Sequence, residues 1–284
     1  MQAILFIMII WLASYPKSGN TWIRSFLSAY YFTDDGLFKF NLLEKFKQFP
    51  SKDFINKKLN DPGKIINYWH PIQEKLLQDK NIKFIKTHNA LVSLNNIKFT
   101  TPKYTLGAIY IIRDPRNLIT SLKDHTDISY EEALKFMTDK DTILYDIDSG
   151  DYDATHFIGS WSDHYKSWTN NSDFKTIVIR YEDLEENCEN VFRDLIYFIN
   201  GLLRTNDNID EKKFQNSMKT TSFSNLRNLE DKGEFNENVV SLKTNNKVKF
   251  FNLGFKNKWQ KILSGDMKLN INEKFKSDIE ILKY

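Results

Sequence analysis

The stretch that decides the reading is Ile9-Ile10-Trp11-Leu12-Ala13-Ser14-Tyr15-Pro16-Lys17-Ser18-Gly19-Asn20-Thr21-Trp22. Residues Ile4–Ala13 form one continuous apolar run rich in β-branched side chains, as a strand buried on both faces requires. After a Pro-Lys-Ser-Gly turn, Thr21–Tyr31 places Trp22, Ile23, Phe26, Leu27, Tyr30 and Tyr31 at helical spacing on one face. A strand that feeds a helix through such a turn points the amides of Ser18 to Thr21 outward at the helix N-terminus, where the dipole favours an anion. Gly19 lets that anion approach the backbone, and Lys17 adds a cation. The order is not that of a Walker A loop, Gly-x-x-x-x-Gly-Lys-Ser/Thr, because here the lysine precedes the glycine and no first glycine exists. The residues alone leave two readings open, an anion cradle and a plain strand–helix turn.

The apolar start does not read as an address. No basic residue precedes Lys17, and Ala3–Ala13 is too short to span a bilayer. Outward from the loop, Ile82–Lys86, Gly107–Ile112 and Thr176–Arg180 read as further short strands. Helical patterns separate them. One starts near Asn117, and another opens with the capping box Ser129-Tyr130-Glu131-Glu132 and runs through Met137. A third carries the stripe Phe157, Trp161, Tyr165 and Trp168, and a fourth spans Cys188–Asn200 and closes at Gly201. Residues 34–80 read as short helices and loops, and 204–250, rich in Asn, Lys, Glu and Thr, as a loop or lid region. Strands alternating with helices predict an α/β fold, a single domain over 1–284 with a central parallel sheet flanked by helices.

The 284 residues are 41% hydrophobic and 27% charged, which excludes a disordered chain, a collagen-like fibre and a disulfide scaffold. A net charge of +3 is too small for a general nucleic-acid binder, so any anion must be met by local groups. Cys188 is the single cysteine, which rules out an intrachain disulfide or a cysteine zinc site and fits a reducing, cytoplasmic compartment. Seven of the 40 basic residues are arginine, among them Arg24, Arg113, Arg116 and Arg180. In so lysine-rich a chain each planar guanidinium fork is a candidate site residue.

Tyr15-Pro16-Lys17-Ser18-Gly19-Asn20-Thr21-Trp22 resembles the 5′-phosphosulfate-binding loop of the sulfotransferases, which use 3′-phosphoadenosine 5′-phosphosulfate (PAPS). Three further segments are similar to that family. Arg113-Asp114-Pro115-Arg116-Asn117, running on to Ser121, looks like its 3′-phosphate segment. Physically, Arg113 leaves the carboxyl end of a strand, where open α/β sheets bind ligands, and its fork can grip a phosphate. Lys86-Thr87-His88 resembles the Lys-Thr-His that carries the family's base, implying that His88 accepts the acceptor's proton while Lys86 holds charge on the transferred group. Arg180-Tyr181-Glu182-Asp183 and Thr221-Ser222-Phe223 resemble adenine-side segments, implying that Tyr181 and Thr221 contact the base and that Trp22 and Phe223 stack on it.

The resemblance covers roughly 4–262 and departs from the family near its end. Phe250-Phe251-Asn252-Leu253-Gly254 is followed by Trp259, so the glycine and tryptophan of the family's pattern are in register. Its Arg-Lys pair for the 3′-phosphate is replaced by Asn252 and Leu253, leaving Lys247, Lys249, Lys256 or Lys258 as substitutes. The dimerisation pattern is absent from Gln260 to Ser264, so no oligomeric state is carried over. The resemblance implies in-line sulfuryl transfer to a hydroxyl or amine of a small-molecule or glycan acceptor, without a metal, a nucleic acid or a transmembrane segment. Lys17, Ser18, Gly19, Asn20, Thr21, Trp22, Arg113, Ser121, Tyr181, Thr221, Phe223, Asn252 and Gly254 would hold the donor, with His88, Lys17 and Lys86 in catalysis. Two alternatives stand beside this reading, a P-loop kinase using ATP and a non-catalytic nucleotide-binding relative. The acceptor pocket is expected from residues 34–80, 125–155 and 225–250, whose Phe and Tyr content suggests apolar lining.

Overall fold

In the computed structural model the apolar run becomes β1 (Ile9–Ser14), fully buried and alternating in direction. Ile9, Trp11 and Ala13 face one core, and Ile10 and Leu12 face the other. The structure describes residues 8–55, 57–78, 83–146, 151–235, 237 and 247–284, so the expected strand positions 4–7 and 82 lie outside the described residues. From β1 the chain continues through α1 (Asn20–Phe32), β2 (Lys47–Gln48), α2 (Trp69–Leu76), β3 (Lys83–Thr87) and a ribbon of β4 (Ser93–Leu94) and β5 (Ile97–Lys98). Next come β6 (Thr105–Ile112), α3 (Pro115–Thr126), α4 (Tyr130–Thr138) and a ribbon of β7 (Ile143–Asp146) and β8 (Asp151–Phe157). The remaining elements are α5 (Trp161–Thr169), β9 (Thr176–Arg180), α6 (Tyr181–Leu203), α7 (Glu211–Thr220), α8 (Phe223–Asp231), α9 (Trp259–Ile262), α10 (Gly265–Lys274) and α11 (Lys276–Leu282).

Five parallel strands form the central sheet in the order β2-β3-β1-β6-β9. The chain leaves β1 for β3 on one side and β6 on the other, so a switch point lies at the carboxyl end of β1. Open sheets bind ligands at such a point. On one face Trp11, Phe99, Tyr110, Trp161 and Trp168 pack together, and on the other Phe26, Phe192, Phe214 and Leu195. Side-chain hydrogen bonds tie β1 to its neighbours. Trp11 Nε1–H donates to Thr105 Oγ1 at 2.9 Å, and Asn20 Nδ2–H reaches back to Leu12 O at 3.3 Å and Ser14 Oγ at 3.2 Å.

Several expectations need correction. Residues 204–250 are not a plain loop: α7 and α8 lie there, N-capped by Asp210 and Ser222 and burying Phe214 and Leu226. Their lysine- and asparagine-rich outer faces hid the apolar positions. The fourth helix does not end at Gly201. It runs on to Leu203, closed by Arg204 in the left-handed region (φ 55), because Leu202 packs on Gly107 in the sheet. It also begins earlier, at Tyr181, with a break at Asn187 (φ −148) that explains why the pattern resumes near Cys188. Strand β2 and the β4–β5 ribbon have two residues per strand, too few to leave a periodic signal, and Phe157, expected on the stripe of the third helix, instead ends β8.

The C-terminal helices are anchored by Asp278, which is 5% exposed. It accepts from Ser162 Oγ at 2.5 Å and Tyr165 OH at 2.8 Å and pairs with Lys166 at 2.6 Å. Burial alone would raise its pKa, but the bonds from Lys166, Ser162 and Tyr165 hold it below the ordinary value. A depressed carboxyl contributes stability above its unfolded pKa, about 3.9, and loses it as pH falls through the folded value. Asp278→Asn is expected to cost about 2–4 kcal/mol at pH 7 in urea unfolding. The gap to wild type should shrink below about pH 4, and a gap independent of pH would contradict the assignment.

Candidate active site

The loop after β1 carries two residues of positive φ, Lys17 (66) and Gly19 (104). For lysine this is a strained conformation of the kind that collects at functional sites. Gly19 cannot be replaced without strain, since a Cβ there would overlap the Tyr181 ring. Gly19 is also the N-cap of α1, with no side-chain cap and no acidic residue in the first turn, so the helix start offers its amides to a ligand.

A cleft of about 1630 Å³ opens at this loop. That exceeds an ordinary single-ligand pocket and has room for a nucleotide together with a second substrate. Of the site residues expected from sequence, Lys17, Gly19, Asn20, Thr21, Trp22, Lys86, His88, Arg113, Ser121, Tyr181, Phe223, Asn252 and Gly254 line it. Ser18 and Thr221 do not. Both are wholly buried, and the Thr221 hydroxyl donates to Ser217 O at 2.7 Å. The segments expected to form the acceptor pocket contribute Phe40, Leu43, Phe46, Phe136, Leu144 and Phe235 to the cleft as apolar wall.

His88 sits just past β3, and its Nδ1 lies 2.8 Å from Ser14 O. A carbonyl only accepts, so Nδ1 carries the proton and Nε2 is the free lone pair. The main chain beneath is braced: His164 Nε2–H donates to His88 O at 3.0 Å and Tyr110 OH to His164 Nδ1 at 2.8 Å. Burial first, then Lys86 and His156, push the His88 pKa well below 6.5, keeping the ring neutral. Nearby, Gln48 Nε2–H donates to His156 Nε2 at 3.1 Å.

The cations are packed closely enough to disfavour their own charge. Burial, with Arg113 and Lys86, lowers Lys17 to about 7, and burial, with Arg24, lowers Lys86 to about 8. The Lys17 ammonium lies 3.7 Å from the Phe250 ring centroid. The amides of Phe250 and Phe251 both donate to the buried Glu230 carboxylate, at 2.7 and 2.9 Å, which fixes that ring. Arg113 stacks 4.1 Å from the Tyr181 centroid and donates to Lys17 O at 3.1 Å, while its buried Nε has no partner among the described residues. Asp114 does not pair with it. That carboxylate caps α3 and binds Arg116 at 2.8 Å, and Arg116 lies on Trp259.

Asn252 donates to Asp124 Oδ2 at 3.3 Å. Of the substitute lysines, Lys249 pairs with Asp231 at 2.8 Å and Lys258 with Glu185 at 3.1 Å. Sequence reasoning singled out Arg24 by the scarcity of arginine but gave it no role. It is 2% exposed and reaches both Glu237 oxygens at 2.6 and 2.5 Å, 213 residues away. His125 was given no role either. Burial, then Lys17 and Lys86, lower its pKa to about 3.

Residues 9–283 match the family model described as the sulfotransferase domain. Among curated proteins, Sulfotransferase 1 family member D1 of Mus musculus is 26% identical over 200 residues, 67% of this chain, and the chain spans only 58% of that protein's length. Among solved structures, mouse sulfotransferase SULT7A1 complexed with PAP superposes with a TM-score of 0.56 at 19% identity, over 96% of this chain and 84% of the other. Retinol dehydratase in complex with retinol and PAP gives 0.57 at 14%, over 95% and 81%. At those identities the structures speak for the fold, whereas the family match takes in nearly the whole described chain, and on that match the chain belongs to the sulfotransferase domain family.

Proposed function

We propose that this chain, acting as one domain, moves a sulfuryl group from PAPS to a hydroxyl or amine of a small-molecule or glycan acceptor. The observation that carries the reading is the meeting, in one cleft, of an uncapped helix N-terminus, the cations Lys17, Lys86 and Arg113, and a neutral histidine whose proton is pinned on Nδ1. SULT7A1 was crystallised with PAP, and retinol dehydratase with PAP and retinol and, in a further structure, with PAP and androsterone. No described helix is long and apolar enough to cross a membrane. A cytoplasmic location is part of the proposal, on the single cysteine.

PAPS, as substrate, brings an activated sulfuryl group on its 5′-phosphate. The loop amides and Lys17 hold that phosphate, and Arg113 with Ser121 holds the 3′-phosphate. Asn252, whose amide is taken up by Asp124 in the free protein, would have to turn to help. His88 Nε2 takes the acceptor proton as the acceptor atom bonds to sulfur. The sulfur–oxygen bond to the 5′-phosphate breaks, its electron pair leaves on that phosphate, and Lys17 neutralises it. The protein's work is positioning and charge stabilisation.

His88→Ala is expected to lower sulfate transfer from radiolabelled PAPS by about 10²–10⁴-fold while PAP binding by calorimetry stays unchanged. Full activity would remove His88 as the base. Wild type is expected to bind PAP and not ATP, and the reverse preference would favour a kinase. Free-enzyme pKa values govern kcat/KM. Lysines at about 7 and 8 lose charge as pH rises, so kcat/KM should fall between pH 7 and 9. The depressed His88 adds no acid limb between pH 7 and 6. A profile rising with pH across that range would contradict the assignment.

A further inference from the structure

Beside the main cleft lies a small apolar cavity of about 210 Å³, lined by Trp22, Cys188, Phe192, Met218, Ser222, Phe223, Ser224 and Phe255. Two of its aromatic walls, Trp22 and Phe223, are arranged around a third, Phe255. Its ring centroid is 6.0 Å from that of Trp22, at 77°, and 6.0 Å from that of Phe223, at 56°. Phe255 is nevertheless 47% exposed. A large aromatic held half in water against two others, on a turn and not in a core, is a surface shaped for something flat. Its placement is fixed from below. It comes directly after Gly254 (φ 52), where a Cβ would overlap the Phe223 ring, so the Gly254–Lys256 turn is seated directly on Phe223.

The cavity adjoins the phosphate loop, since Trp22 is in the first turn of α1. Its walls are almost wholly apolar, with the Ser224 hydroxyl as a hydrogen-bonding group for an edge, 3.3 Å from that of Ser222, which itself caps α8 and donates to Lys219 O at 3.0 Å. A purine fits this description, with two π-faces for the rings and polar atoms at one edge. On the phosphate side, Asn252, Lys249 and Lys258 are each engaged with a carboxylate of the chain.

We propose that Phe255 is a third aromatic wall of the nucleobase subsite, packing on the adenine that Trp22 and Phe223 bracket, so that this chain draws much of its donor affinity from the base. The proposal rests on the PAPS reading. Base–aromatic contact is sequence-independent and apolar, so it persists where salt screens phosphate contacts.

Calorimetry with PAP and with the base-less ribose 3,5-bisphosphate, on wild type, Phe255→Ala and Phe255→Tyr, tests it. Phe255→Ala should weaken PAP about 5- to 20-fold and leave the base-less ligand within about two-fold of wild type, and Phe255→Tyr should keep wild-type affinity. The KM for PAPS should rise with kcat at saturating donor unchanged. Equal or tighter PAP binding by Phe255→Ala would mean that the ring merely fills the subsite, and overturns the proposal. An equal loss for both ligands also overturns it, because the ring would then act through the phosphate loop. If wild type binds no PAP at all, the PAPS reading itself fails, and this proposal fails with it. Because Phe255 is half exposed on a three-residue turn, Phe255→Ala folds, and Phe255→Tyr provides a second, near-isosteric check.

Discussion

Everything in the cleft derives from crowding positive charge where water is scarce. Lys17, Lys86, Arg24 and Arg113 share one cavity, and burial together with their mutual repulsion lowers Lys17 to about 7 and Lys86 to about 8. A buried cation is costly unless it is paired. Among the described residues Glu237 pairs with Arg24, aromatic faces meet Lys17 and Arg113, and Glu230 and Asp124 partly offset the shift of Lys17. Under the proposed reading a phosphorylated ligand would complete that pairing, while burial first, then Lys86, keeps His88 neutral.

The fold exists to hold that cluster still. The loop after β1 can present backbone amides only because Gly19 admits the Tyr181 ring and Asn20 ties the helix start to β1. The His88 tautomer is fixed by a carbonyl of β1, Ser14, so His88 and the loop after β1 are referenced to one backbone. Behind them, His164 and Tyr110 extend the brace into the sheet, and Glu230 holds the Phe250 ring against Lys17. Positioning over such short paths is what the proposed reaction, without covalent chemistry by the protein, would demand.

The fold was legible where the signal is local. A β-branched run, a Pro-Lys-Ser-Gly turn and an amphipathic stretch placed β1, the loop and α1, and the same logic found β3, β6, β9 and the capping box at Ser129. It failed where polar composition masked a buried face, as in α7 and α8, and where a packing contact overrode a local stop, as Leu202 on Gly107 did at Gly201. Most residues singled out within motifs line the cleft, but Ser18 and Thr221 are wholly buried away from it, which no motif reveals. Partners far apart in sequence were beyond reach: Arg24 with Glu237, Asn252 with Asp124, and Glu230 beneath Phe250.

The central claim, a cleft whose cations are only partly charged until an anion arrives, is tested most directly by proton linkage. PAP binding is measured by calorimetry at pH 8 in two buffers of different ionisation enthalpy. Lysines near 7 and 8 are largely or half neutral at that pH and regain charge against the phosphates. The account predicts uptake of about one proton per PAP bound, declining as pH is lowered toward 6. Binding with no proton uptake at pH 8 would contradict it.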